Sequence, residues 1–176
     1  MVVLRDMRVE DIEDYVRWFT TQVGWMDWDA PWETEASTPE AERKGWTEYY
    51  LSVKDLPKDA ERWKFEIEVD GRHVGWVCSY TDLGYLPNEE RIPAVGIDVP
   101  EEDVRGQGVG TEALRIFIRY LAEHGHPVVY TQTWSGNERM MRVATKLGFE
   151  PFFREEGVRE VRGKRYDALT YRLEVK

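Results

Sequence analysis

Three glycines fall within the five positions 106–110, framed by Arg105 and Thr111, in a chain whose flanking segments are strongly patterned. Before them, Ala94-Val95-Gly96-Ile97-Asp98-Val99 reads as a strand that Pro100 stops. After them, Val109 to Ala122 carries apolar residues at helical spacing, and Gly125 ends the run. A strand that enters a glycine-rich bend and leaves it as a helix commits the chain to an α/β fold. The bend also has a chemical use. Without Cβ atoms at Gly106, Gly108 and Gly110 an anion can reach the backbone, and the amides of Gly106, Gln107, Gly108, Val109 and Gly110 can meet it with help from the helix dipole. Arg105 adds a fixed positive charge suited to phosphate oxygens, and Thr111 adds a hydroxyl. The segment is expected to cradle a phosphate or pyrophosphate.

The remaining elements arrange themselves around this unit. Val2 to Leu4 form a short strand, and Val9, Ile12, Val16 and Phe19 place an amphipathic helix over 8–20. Residues 21–37 read as irregular. Thr38-Pro39-Glu40 starts a second helix that runs to about Val53, with a hydroxyl cap, a proline in the first turn and an acid against the dipole. Phe65, Ile67 and Val69 alternate as a strand, Asp70-Gly71 turns it, and Val74, Trp76 and Cys78 lie on the return. A polar loop follows over 82–90. Val128-Val129-Tyr130 is a short buried strand, and Asn137 caps a helix that stops at Leu147-Gly148. Two long strands, about 150–161 and 164–174, turn at Arg162-Gly163. The order β-α-α-β-β-β-α-β-α-β-β predicts one domain over 1–176 with a mixed sheet.

Composition narrows the class of function. With 24 Lys plus Arg against 34 Asp plus Glu, the chain carries a net charge of −10. Phosphate backbones need a basic face, so nucleic acid is not an expected partner, whereas a cation is. The single cysteine, Cys78, excludes an internal disulfide and a paired-cysteine metal knuckle. His73, His124 and His126 show no ligand spacing, and surface roles are expected for them rather than a metal. No basic start followed by a long apolar run opens the chain, and no stretch approaches the roughly 18 apolar residues of a membrane span. A cytoplasmic protein, monomeric or a homodimer, is expected.

The glycine pattern does not fit the common nucleotide cradles. GxxxxGK[ST] is absent. GxGxx[GA] occurs at Gly108-Val109-Gly110-Thr111-Glu112-Ala113, but Pro100-Glu101-Glu102-Asp103 separates it from the strand, and Val128-Val129-Tyr130-Thr131 ends without an acid for a ribose. The stretch from Arg105 to Gly110 resembles instead the [QR]-x-x-G-x-[GA] signature of the GNAT acyltransferases. Asn137-Glu138-Arg139, continuing to Lys146-Leu147-Gly148-Phe149, is similar to that family's N-x-R…K-L-G-F segment. Arg162-Gly163-Lys164-Arg165-Tyr166-Asp167 is similar to the tail hairpin of its ribosomal-protein N-terminal acetyltransferases. Gly96-Ile97-Asp98 also resembles the aminoglycoside 6′-N-acetyltransferases. The resemblance covers roughly 1–10 and 62–175.

The resemblance implies a single-domain GNAT fold, acetyl-CoA as co-substrate without a metal, and transfer of an acetyl group to an amine. The pantetheine arm would lie along the strand 94–99, with backbone groups of Ile97 and Val99 as partners, and Asn137 would contact the cofactor. The alternative for Asn137 is a helix cap alone. Asp98 would deprotonate the amine, with Asp82, Glu89 and Glu90 as substitutes; otherwise Asp98 simply faces solvent. A backbone amide near Val99 would stabilise the oxyanion. The family's usual proton donors fall at Ala144 and Met140, which cannot donate, so water or Tyr130 takes that role. The missing donors leave a non-catalytic CoA-binding sensor as a further alternative.

The stretch 27–61 carries ten acids against four bases and includes Trp28, Trp32 and Trp46. Asp27, Asp29 and Glu33 crowd among indoles, an arrangement suited to a cation by charge and by contact with aromatic faces. These three acids, with Trp28 and Trp32, are the expected acceptor site. The acceptor is a small cationic amine or a basic protein N-terminus. The alternative is a solvated helix face with tryptophans packed on the sheet.

Overall fold

The computed structural model describes residues 1–33 and 35–176. Its elements are β1 (Val2–Arg5), α1 (Asp11–Thr20), α2 (Pro39–Val53), β2 (Lys64–Val69), β3 (Arg72–Tyr80), β4 (Ala94–Asp98), α3 (Val109–Glu123), β5 (Val128–Trp134), α4 (Glu138–Leu147), β6 (Glu150–Val161) and β7 (Lys164–Glu174). The seven strands form one sheet in the order β1-β2-β3-β4-β5-β7-β6. Every pairing is antiparallel except β4 with β5.

Local chemistry sets the boundaries. The Thr38 side chain accepts the Ala41 amide at 3.2 Å and starts α2. Asp70-Gly71 and Arg162-Gly163 both take positive φ at their two central residues, as tight two-residue hairpins require. Gly148, at φ +86°, ends α4 in the left-handed conformation. β5 runs on to Trp134, past the expected end at Tyr130, because Thr131 is fully buried and its hydroxyl donates to the Val95 carbonyl at 2.8 Å.

Two apolar layers flank the sheet. Val109, Ala113, Leu114, Phe117 and Leu121 of α3 pack on Ile67, Val77, Val95 and Val129. On the other face Ile12, Tyr15 and Trp18 of α1 pack with Trp25 and Trp76, and Trp46 of α2 stacks on Tyr15 with ring centroids 3.7 Å apart. His73 lies within this second layer. Its expected surface role is corrected: it is 6 % exposed, with Nδ1 3.1 Å from Asp14 and Nε2 3.0 Å from Glu66. A β-bulge opposite Ile67 and Glu68 shifts the register of β3 here.

Candidate active site

β4 and β5 share one register pair, Ala94 with Tyr130. Each is otherwise paired along its length to its outer neighbour, β4 to β3 and β5 to β7. The two strands therefore part beyond that pair and leave a wedge between Gly96–Asp98 and Gln132–Trp134. The Pro93 carbonyl accepts the Tyr130 amide at 2.9 Å and the Val95 carbonyl accepts the Thr131 hydroxyl, so odd positions of this segment face β5. By strand alternation the backbone groups of Ile97 and Val99 face the wedge.

Gly75 fixes where β4 ends. A Cβ there would stand 2.1 Å from the Asp98 carbonyl oxygen and 3.0 Å from the Val99 Cα, so only glycine lets β4 lie so close to β3. No pattern in the sequence distinguishes Gly75 from an ordinary strand glycine.

At the mouth of the wedge the glycine bend leads into α3. Gly106 and Gly108 take φ of +75° and +84°, and a Cβ at either would meet no atom within 4 Å. The first hydrogen bond of α3 runs from the Glu112 amide to the Gly108 carbonyl, so the amides of Val109, Gly110 and Thr111 have no partner within the helix. Gly110 packs against β4, with its ideal Cβ position 3.4 Å from Ile97 Cδ1. Arg105 has a different placement from a free phosphate ligand. It donates to the Val99 carbonyl at 2.8 Å and the Pro100 carbonyl at 2.7 Å and so clamps the bend onto the end of β4. Gln107 donates its side chain to the Asp103 carbonyl at 2.6 Å, closing the bend from the other side.

Asn137 is an N-cap: its Oδ1 accepts the Met140 amide at 3.0 Å, and its Nδ2 donates to the Trp28 carbonyl at 2.7 Å. Trp134 Nε1 donates to the same carbonyl at 2.9 Å. The segment that includes Trp28 is thus tied to β5 and α4. Its other end is held on the β4 side, where Gln22 Nε2 reaches the Pro100 carbonyl at 3.0 Å and Trp25 Nε1 the Trp18 carbonyl at 2.9 Å. The loop crosses the wedge.

Ala94, Gly96 and Asp98 face the α1 side, where Gly96 lies beside Cys78 and Tyr80. Burial pushes the Asp98 carboxyl well above the usual range, and the nearby Asp29 carboxylate pushes it further. Asp29 is raised by burial and by Glu33. Burial also drives the Cys78 thiol up to about 12, so it remains protonated and unreactive. Tyr130 packs with Leu83 and Ala94 at the closed end of the wedge, its ring 5.2 Å from Phe152.

Beside Asp29 lies a cavity of about 470 Å³ lined by Trp32, Glu33, Tyr80, Asp82, Tyr85, Trp134 and Arg159 among others. Of the five expected acceptor residues, Asp29, Trp32 and Glu33 line it. Asp27 does not; it pairs with Arg162 at 3.0 Å. Trp28 lies under Arg139, whose guanidinium carbon is 4.0 Å from the ring centroid. Arg159 sits 4.1 Å over Trp32 and 4.9 Å over Tyr85. The chain's own arginines thus cover indoles that the sequence reading offered to the acceptor. Glu89 and Glu90 do not line this cavity.

The splayed parallel pair, the open edge of β4 and the glycine bend leave one slot lined by unpaired backbone groups. Residues 2–150 match the family model described as the acetyltransferase (GNAT) domain, and the chain belongs to that family. The match runs through the acceptor segment and stops before the tail hairpin. An uncharacterized N-acetyltransferase from Methanocaldococcus jannaschii is 31 % identical over 112 residues, which are 61 % of this chain and 47 % of that protein. The chain spans about half the length of that relative. Ribosomal-protein-alanine N-acetyltransferase from Brucella melitensis superposes with a TM-score of 0.71 at 19 % identity, covering 98 % of this chain and 99 % of the other. RimL, a ribosomal alpha-N-protein acetyltransferase in complex with coenzyme A, gives 0.75 at 15 % identity, covering 99 % and 94 %. No helix among the described residues is long and apolar enough to cross a membrane.

Proposed function

We propose that this chain is an acetyl-CoA-dependent N-acetyltransferase that moves an acetyl group directly to a primary amine. The observation that carries the reading is the wedge: an unpaired β4 edge leading straight into free amides with no Cβ above them. These groups fit the cofactor. Ile97 and Val99 would pair with its extended arm, and the amides from Gly106 to Thr111 would receive its pyrophosphate. Bound there, acetyl-CoA supplies an activated thioester.

The chain's own groups supply the rest. Asp98 takes the proton from the acceptor ammonium, and its raised affinity for a proton makes it a stronger base than an ordinary carboxylate. The Val99 amide is placed to stabilise negative charge on the acyl oxygen. The carbonyl of the next peptide, Val99–Pro100, is held by Arg105, which ties down the backbone beside that amide. Asp29, Glu33 and Asp82 draw a cationic amine into the cavity. Water or Tyr130 is the proton donor; Tyr130→Phe is expected to cost less than about 10² in turnover. A protein N-terminus is the second reading, favoured by the names of the two solved relatives, whereas the cavity's volume favours a small molecule.

Gly108→Asp tests the cradle. It forces a side chain into left-handed backbone and sets a carboxylate where the phosphates belong. Calorimetry should show acetyl-CoA affinity lost by about 10²-fold or more, with Gly108→Ala intermediate. Wild-type affinity in Gly108→Asp would rule the cradle out.

A further inference from the structure

Arg159 is the cation of the acceptor cavity, and among the described residues it has no hydrogen-bond or ion-pair partner. Three acids share the cavity with it, yet none lies within ion-pair distance. Other arginines of the β6–β7 hairpin are engaged: Arg162 with Asp27 and Arg154 with Asp167. The Arg159 guanidinium lies over both the Trp32 and the Tyr85 rings, its carbon 4.1 Å and 4.9 Å from their centroids. Contact with two aromatic rings restrains the group, while its N–H donors have no partner among the described residues. A guanidinium so held suits the two oxygens of a carboxylate. Glu33 accepts instead from the Trp32 indole at 3.3 Å, so the cavity holds Asp29, Glu33 and the Arg159 guanidinium without pairing acid to base.

We infer that the acceptor is a small amine that also bears an oxyacid group, as an α-amino acid does, with its ammonium toward Asp29 and Asp98 and its oxyanion on Arg159. This rests on the acetyl-transfer reading and assigns its substrate class. A simple polyamine would leave Arg159 facing a cation, and like charges in one cavity repel. At about 470 Å³ the space falls in the range of small-molecule sites.

The test compares L-leucine, L-phenylalanine and L-lysine, each against the amine left by removing its carboxylate. All six are titrated calorimetrically into protein saturated with coenzyme A, and all are assayed as acceptors with acetyl-CoA. At least one amino acid should bind and react about 10–100-fold better than its amine. Arg159→Gln should erase that ratio while sparing the amine and the affinity for acetyl-CoA. Arg159→Lys, which keeps the charge without the planar fork, should restore part of it. Arg159 is half-exposed, so neither variant should compromise folding. The inference is overturned if none of the six binds, if amines match amino acids, or if Arg159→Gln weakens both members of a pair equally. Preferential binding without transfer would leave anion recognition standing and overturn the acetyl-transfer reading. Transfer without preference would do the reverse.

Discussion

Asp98 carries opposed demands of stability and chemistry. Its folded-state pKa lies above that of the unfolded chain, so the native state holds the proton more tightly. Its stabilising share is therefore complete below the unfolded pKa and is lost as pH rises through the folded one. Asp98→Asn should melt a few degrees above wild type at pH 8, with a smaller gap at pH 5, while turnover falls by about 10²–10⁴. Equal melting curves at pH 8 and unchanged turnover would end the case for Asp98 as a base. Asp29→Asn removes a like charge and should move the acid limb of kcat/KM to lower pH. Asp98 was legible in the sequence as the carboxylate on the strand before the glycines. Its partner was legible only as one of a crowd of acids, because proximity between Asp29 and Asp98 is created by the loop crossing the sheet.

At the scale of elements, strands, helices and both hairpin turns were readable, since periodicity and turn chemistry act locally. Contacts between elements were not. Gly75 looks like any strand glycine, yet Gly75→Ala would drive a methyl into the Asp98 carbonyl. Overpacking of this sort costs about 1–3 kcal/mol or more. Urea midpoints should fall accordingly, and kcat should fall further than the affinity for acetyl-CoA. His73 escaped for a similar reason: its three carboxylates come from α1 and β2. Burial lowers its pKa, but Asp14 and Glu66 outweigh that and leave it raised. For Glu66, Asp11 and Asp14 burial pushes up, and cationic partners outweigh it downward. The His73 share of stability is whole below about pH 6.5 and fades as pH climbs through its raised pKa; the acids lose theirs below about pH 4. The urea midpoint should therefore plateau between these limits. Glu66→Gln should lower the unfolding free energy by about 3–5 kcal/mol, as expected when one member of a buried charge network is removed.

Over the whole molecule, acidity was the clearest message of the sequence, but charge counts did not tell which acids are free. Asp27 is paired with Arg162 on the tail hairpin, whereas Asp29 and Glu33 line the cavity. Asp27→Asn should change the acceptor KM by less than about threefold, as expected of an exposed pair. Asp29→Asn with Glu33→Gln should raise it at least tenfold and leave KM for acetyl-CoA alone; equal effects from the two variants would contradict the geometry. The loop that brings Asp29 to the cavity also reaches from the Pro100 carbonyl, through Gln22, to Trp134 and Asn137, through the Trp28 carbonyl. It works as a spacer bar: the short span 22–28 gauges how far the two arms of the sheet stand apart. A change of length there would alter the bore of the cofactor slot as well as the shape of the acceptor cavity. Evolution toward a new acceptor by insertion in this loop is thereby coupled to the cofactor, and the freer route to new specificity runs through the opposite wall, at Tyr85 and Arg159.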